Sequence, residues 1–184
     1  SREEKFLTIM SNQYPDLVPK ILDIDYKQKK IFLEIDGVDF WQQSLDKQCS
    51  FDQILNNWQE QMLEIIKCHR QLGLYKYSMH PSSYFIVAGQ LKSINYFFTY
   101  QEDEPWISIS DVESHIHTKR QTEMKKYLET LGIKWNEPQS FDVFQQLCWE
   151  SFRTNYPTDF IERAKALTST RLSPDKDRKS TRLN

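Results

Sequence analysis

Apolar positions along the chain change period several times, and each change marks a predicted element. Residues 2–12, REEKFLTIMSN, place Phe6, Leu7, Ile9 and Met10 on a helical stripe. Tyr14-Pro15 should end that helix, because the residue before a proline avoids the helical region. The runs 20–26 and 30–35 are β-rich and flank a polar turn at Lys27–Lys29, a hairpin signal that Gly37 closes. Trp41 falls in a short helix or turn. Ser50 with Gln53 spells a capping box, and a long helix is predicted from there to about Arg70, with Ile54, Leu55, Trp58, Met62, Ile65, Ile66 and His69 at helical spacing. Gly73 is its stop. Tyr84–Val87 and Leu91–Asn95 form a second hairpin around Ala88-Gly89-Gln90. Ser110 with Glu113 opens a helix to Gly132, Ser140 opens another through Tyr156, and Thr158 caps a last short one. This order predicts an α+β chain with most of its mass helical.

The bulk properties narrow the function classes. The chain has 184 residues and a formal net charge of -2, without the basic field that nucleic-acid binding needs. Its 4 glycines leave no Gly-rich phosphate loop within these residues. Cys49, Cys68 and Cys148 form no C-x-x-C pair, which fits a reducing, cytoplasmic setting. No signal-peptide pattern heads the chain, and no apolar run approaches the ~20 residues that span a bilayer, so no membrane partner is expected. The chain opens at Ser1 directly in a helical pattern, as a piece with sequence upstream would. Its last segment, 169–184, repeats STRL, lacks an apolar period and reads as a disordered tail of non-native character.

Residues 75–100, YKYSMHPSSYFIVAGQLKSINYFFTY, follow the cadence of a catalytic loop. The order helix, hairpin, acidic linker, long helix, loop, hairpin resembles the protein-kinase-like fold over roughly residues 1–100. FLEIDG at 32–37 resembles its hinge, SMHPSS at 78–83 resembles the D-L-H-P-x-N loop of aminoglycoside-phosphotransferase-like and atypical kinases, and LKSINYF resembles the strand and D-F-G that follow. In that register Ser78 stands for the catalytic Asp, Ser83 for the loop Asn and Asn95 for the metal-binding Asp. A serine is no comparable base near neutral pH, and Mg²⁺ prefers charged oxygen ligands. The resemblance therefore implies a pseudokinase: a partial small lobe at 1–36, a helical large lobe at 37–168, and no intact catalytic residue.

Glu4 stands where the helix carboxylate would pair with a strand lysine; that lysine and the Gly-rich loop would lie upstream of Ser1. Glu34, Glu4 and Asn95 are the nucleotide-facing positions, and His80 is a structural brace. No cofactor is expected, with ATP bound without turnover left open, and the partner is a protein. The alternative is an active atypical phosphotransferase with relocated acids among Asp103, Glu104, Asp111 and Glu113. His115 and His117 sit two apart, face different sides of a helix and do not chelate together. The acidic loop 101–106 occupies the place of an activation segment without an A-P-E closure.

Overall fold

α1 (Arg2–Gln13) forms where the apolar stripe predicts it, burying Phe6, Leu7 and Met10. The Ser1 side chain accepts the Glu4 amide at 3.2 Å, and Glu3 and Glu4 place negative charge at the positive end of the helix dipole. Tyr14 and Pro15 end the helix and lead into a 3₁₀ turn at Pro15–Leu17. A computed structural model of the chain describes residues 1–102, 107–108, 122, 125–126, 128–132, 134, 138–139 and 141–169. They divide into two units that are each discontinuous in sequence: residues 1–65 with 76–99, and 66–75 with those described beyond 100. The hairpin after α1 shares its unit with the segments up to residue 65.

In the first unit, β1 (Ile21–Asp25) pairs antiparallel with β2 (Lys30–Leu33), setting Ile24 opposite Ile31 and Asp25 opposite Lys30. A register shift between Ile21 and Asp23 leaves Leu22 exposed. Asp25 Oδ1 accepts the amides of Lys27 and Gln28, both at 2.9 Å, which fixes the turn. α2 (Phe40–Lys47) starts on Asp39, whose side chain accepts the Gln42 amide.

The predicted long helix is two helices. The Ser50–Gln53 capping box is present, but α3 (Phe51–Ile54) stops at Leu55, whose backbone is extended (φ -149°, ψ 104°), and α4 (Trp58–Gln71) begins afresh. Asn56 and Asn57 favour such a break, since their side chains compete for backbone groups. The break also turns Trp58 inward, where its indole N–H donates to Asp52 Oδ1 at 2.8 Å and its ring packs 5.3 Å from Phe51 and 6.0 Å from Phe40.

β3 (Leu74–Lys76) was not foreseen. It pairs with β6 (Thr99–Gln101), also unforeseen. Between them β4 (Tyr84–Val87) pairs with β5 (Gln90–Ser93), whose strand starts one residue earlier than expected and ends before Asn95. Ala88 (φ 49°) and Gly89 (φ 77°) are both left-handed, the signature of a two-residue type I′ turn.

In the second unit, the end of α4 is fixed by Gly73 (φ 70°), where a Cβ would also come within 3.3 Å of the Glu102 carboxylate. Arg70 is buried there: its guanidinium lies 3.9 Å from the Tyr75 ring centre and donates to Glu102 Oε1 at 3.0 Å, while Tyr75 Oη donates to Asp142 at 2.7 Å. β7 (Ile107–Ser108) pairs antiparallel with β8 (Pro138–Gln139). α5 (Phe141–Ser151) ends five residues before the expected Tyr156; Ser151 Oγ donates to the Cys148 carbonyl at 2.6 Å, a local bond that competes with the helix ladder. α6 (Thr158–Ser169) runs one residue past the expected 168 boundary. Thr158 is its first helical residue, and the Pro157 carbonyl accepts the Ile161 amide at 3.1 Å. Trp149, Phe152, Tyr156 and Phe160 form an aromatic core between α5 and α6.

The chain is mixed α+β. Among the described residues no helix is long and apolar enough to cross a membrane. The predicted helix start at Ser110 and Glu113, the acids Asp103, Glu104 and Asp111, the histidines His115 and His117, and residues 170–184 lie outside the described residues.

Candidate functional site

The loop that resembles a catalytic loop lies entirely in the first unit, between β3 and β4. Its shape begins with His80, which precedes the 3₁₀ turn Pro81–Ser83. Nδ1 of His80 accepts the Ser82 amide at 3.1 Å and lies 2.8 Å from Ser82 Oγ, and the ring stands edge-on to Trp41 at 5.1 Å between centres. The Ser83 amide donates to the His80 carbonyl at 2.8 Å, which tightens the turn. Ser83 then anchors the far end of the β4–β5 hairpin: its carbonyl accepts the Ile94 amide at 2.9 Å, and its hydroxyl accepts from Asn95 Nδ2 at 3.1 Å.

Asn95 itself is left-handed (φ 63°, ψ 60°), a conformation that asparagine tolerates better than most residues, and it opens the 3₁₀ turn Tyr96–Phe98. Two of the three positions singled out by sequence, Ser83 and Asn95, therefore meet directly, although they are twelve residues apart. As a donor set they supply one hydroxyl and one amide, both neutral and bonded to one another, where Mg²⁺ would favour charged oxygens. Among the described residues no group of three His, Cys, Asp or Glu side chains is placed to hold a metal ion.

The third position, Ser78, is held through its backbone. Its carbonyl accepts a hydrogen bond from Lys76 Nζ. Lys76 is 2% exposed. Its amine lies 5.1 Å from the centre of the Tyr96 ring and 5.7 Å from that of Tyr84, so two aromatic faces and one carbonyl surround it. Burial pushes the ammonium down to about 7, while the carboxylate of Glu3 acts in the opposite direction. Burial likewise raises the Glu3 carboxyl above the ordinary carboxylate range. The Tyr96 amide, the Lys76 charge and the amides of Phe97 and Asn95 oppose that rise. Tyr84, fully buried, is raised well above 10, by burial first and by Tyr96 second.

Glu3, Glu4 and Leu7 of α1 also line a cavity of about 670 Å³, closed by residues of the β1–β2 hairpin and by Phe97. Glu4 accepts the Tyr26 hydroxyl there at 2.9 Å. The helix carboxylate that reaches the Asn95–Phe97 turn and the Lys76 charge is Glu3, which sequence reasoning did not single out. The signal was present: residues 3, 6, 7 and 10 lie on one helical face, so Glu3 shares the buried stripe of Phe6, Leu7 and Met10. Lys76 was missed as well: it lies in the run Leu74-Tyr75-Lys76-Tyr77, in which every residue is buried, and no local pattern marks it. Glu34 is exposed, meets the rest of the structure through its backbone amide on the Lys20 carbonyl, and does not line the cavity. Cys49, Cys68 and Cys148 form no disulfide. No protein-family model matches the chain and no curated protein matches it.

Proposed function

We propose that this chain carries a kinase-like domain without phosphotransfer activity, working as a cytoplasmic binding or regulatory module for a protein partner, with ATP at most bound and not turned over. The observation that carries this reading is the bond between Asn95 and Ser83. Asn95 Nδ2 donates to Ser83 Oγ at 3.1 Å, so these two side chains spend polar groups on each other. The Lys76 amine on the Ser78 carbonyl supports the same reading, because it sets an amine and not a carboxylate against the third position. A general base contributes about 10²–10⁴-fold to a proton-transfer step, and a serine hydroxyl recovers little of that near neutral pH. Phosphoryl transfer further depends on metal ions neutralising the transferred group, for which this loop provides no charged oxygen.

The test is incubation of the protein with labelled ATP, in Mg²⁺ and in Mn²⁺, with generic protein and small-molecule acceptors. The expected result is no transfer above the protein-free blank. Transfer that disappears in Asn95→Ala would overturn the proposal, since it would make this loop a working active site.

A further inference from the structure

Lys76 is a buried amine, 2% exposed. It faces four elements. From α1 comes Glu3; from β4, the Tyr84 ring; from the turn after β5, the Tyr96 ring; and from its own loop, the Ser78 carbonyl. The other nearby charge on α1, Arg2, is directed elsewhere, donating to the Thr99 carbonyl at 2.9 Å. The imidazole of the same loop, His80, is turned toward Ser82 and Trp41.

Glu3 is the bridge. Its carboxylate takes up the amides of the Asn95–Phe97 turn and feels the Lys76 charge at the same time. A buried carboxylate held by amides and a counter-charge is stable in place; remove the counter-charge and the anion is left in a low-dielectric site with only the amides to compensate it.

We propose that Lys76 is an internal, titratable cation that couples α1 to the Asn95–Phe97 turn, so that the local geometry of this turn responds to proton concentration. In the protonated state the ammonium draws the Glu3 carboxylate, and with it the start of α1, onto the turn. In the neutral state that attraction is gone and Glu3 can move toward the adjoining cavity. The amine changes charge at about 7, which places the change between mildly acidic and mildly basic conditions. Nothing in this inference depends on the kinase-like reading.

The experiment is NMR on the whole chain with ¹³Cε-labelled lysine and ¹⁵N-labelled backbone, titrated from pH 5.5 to 9. One lysine Cε signal, assigned to Lys76 by its loss in Lys76→Met, should titrate near neutrality while ordinary lysines do not. The amides of Asn95, Tyr96 and Phe97 should shift with the same midpoint. In Glu3→Gln the Lys76 midpoint should move lower, because its counter-charge is gone. In His80→Gln the amide titration should persist, separating Lys76 from the nearby imidazole. A Lys76 signal that titrates with the surface lysines overturns the proposal, and so do turn amides that ignore pH or lose their titration in His80→Gln. Should Lys76→Met fail to fold, assignment through Lys76→Arg and the Glu3→Gln shift decide the matter alone.

Discussion

Replacing Lys76 with methionine should raise stability at pH 6 and remove part of the protein's pH dependence. The lysine is 2% exposed, and its ammonium titrates at about 7 against an ordinary lysine value of 10.5. A base whose folded value lies below its unfolded value binds fewer protons when folded between the two. Stability from this group is therefore lowest and flat below about 7, rises with pH through the window from about 7 to 10.5, and levels off above it. At 1.36 kcal/mol per pH unit, the whole window is worth roughly 4–5 kcal/mol at most, and roughly 2–3 kcal/mol of it falls between pH 6 and pH 9. Methionine fills a similar volume without a proton to lose. It forfeits the bond to the Ser78 carbonyl and the attraction of Glu3, together about 1–3 kcal/mol. The variant should accordingly be about 1–3 kcal/mol more stable than the parent at pH 6, with the advantage vanishing or reversing by pH 9. Urea unfolding of both proteins at pH 6, 7.5 and 9, followed by tryptophan fluorescence, measures the difference, and groups titrating alike in both cancel. A difference that stays constant across that range would refute the reasoning, because it would mean that the Lys76 amine keeps its ordinary affinity for protons and is not buried as described.

Asn95→Val should cost about 2–3 kcal/mol in thermal or urea unfolding, since a β-branched residue at φ 63° is strained and the bond to Ser83 is lost; Asn95→Gly should cost about 1 kcal/mol or less, because glycine adopts this conformation freely. Ala88→Gly at φ 49° should leave stability unchanged or raise it by up to about 1 kcal/mol in the same assay, the relief of left-handed strain outweighing the entropy of glycine, and a loss above about 1 kcal/mol would contradict the type I′ turn. Tyr75→Phe removes the hydroxyl that bonds both Arg70 and Asp142 and should destabilise by about 1–3 kcal/mol, read from the urea midpoint.

Much of the secondary structure was legible because it follows from local rules. The stripe of Phe6, Leu7, Ile9 and Met10 makes α1, Pro15 stops it, Ser50 and Gln53 close a capping box, and Ala88-Gly89 turns a hairpin; each involves residues within a few positions of one another. The same locality explains the failures. The spacing from Ile54 to His69 is compatible with one helix, and only the packing of Trp58 against Phe40 and Phe51 makes the break at Leu55–Asn57 worth its lost backbone bonds. β3 and β6 are three residues each, too short to show a period of their own, and exist because they pair with one another across more than twenty residues.

At the candidate site the division is sharper. Motif spacing alone put Ser78, Ser83 and Asn95 in one register and showed that their side chains carry no negative charge, since residue type and sequence distance are properties of the chain itself. Which groups actually meet was a tertiary decision. The fold brings Asn95 onto Ser83 across twelve positions, sets Glu3 against the Asn95–Phe97 turn, and seals Lys76 between Tyr84 and Tyr96. A lysine in a sequence is by default a solvated cation; only the loss of water around its amine, which no local pattern encodes, turns Lys76 into a group that changes charge near neutral pH.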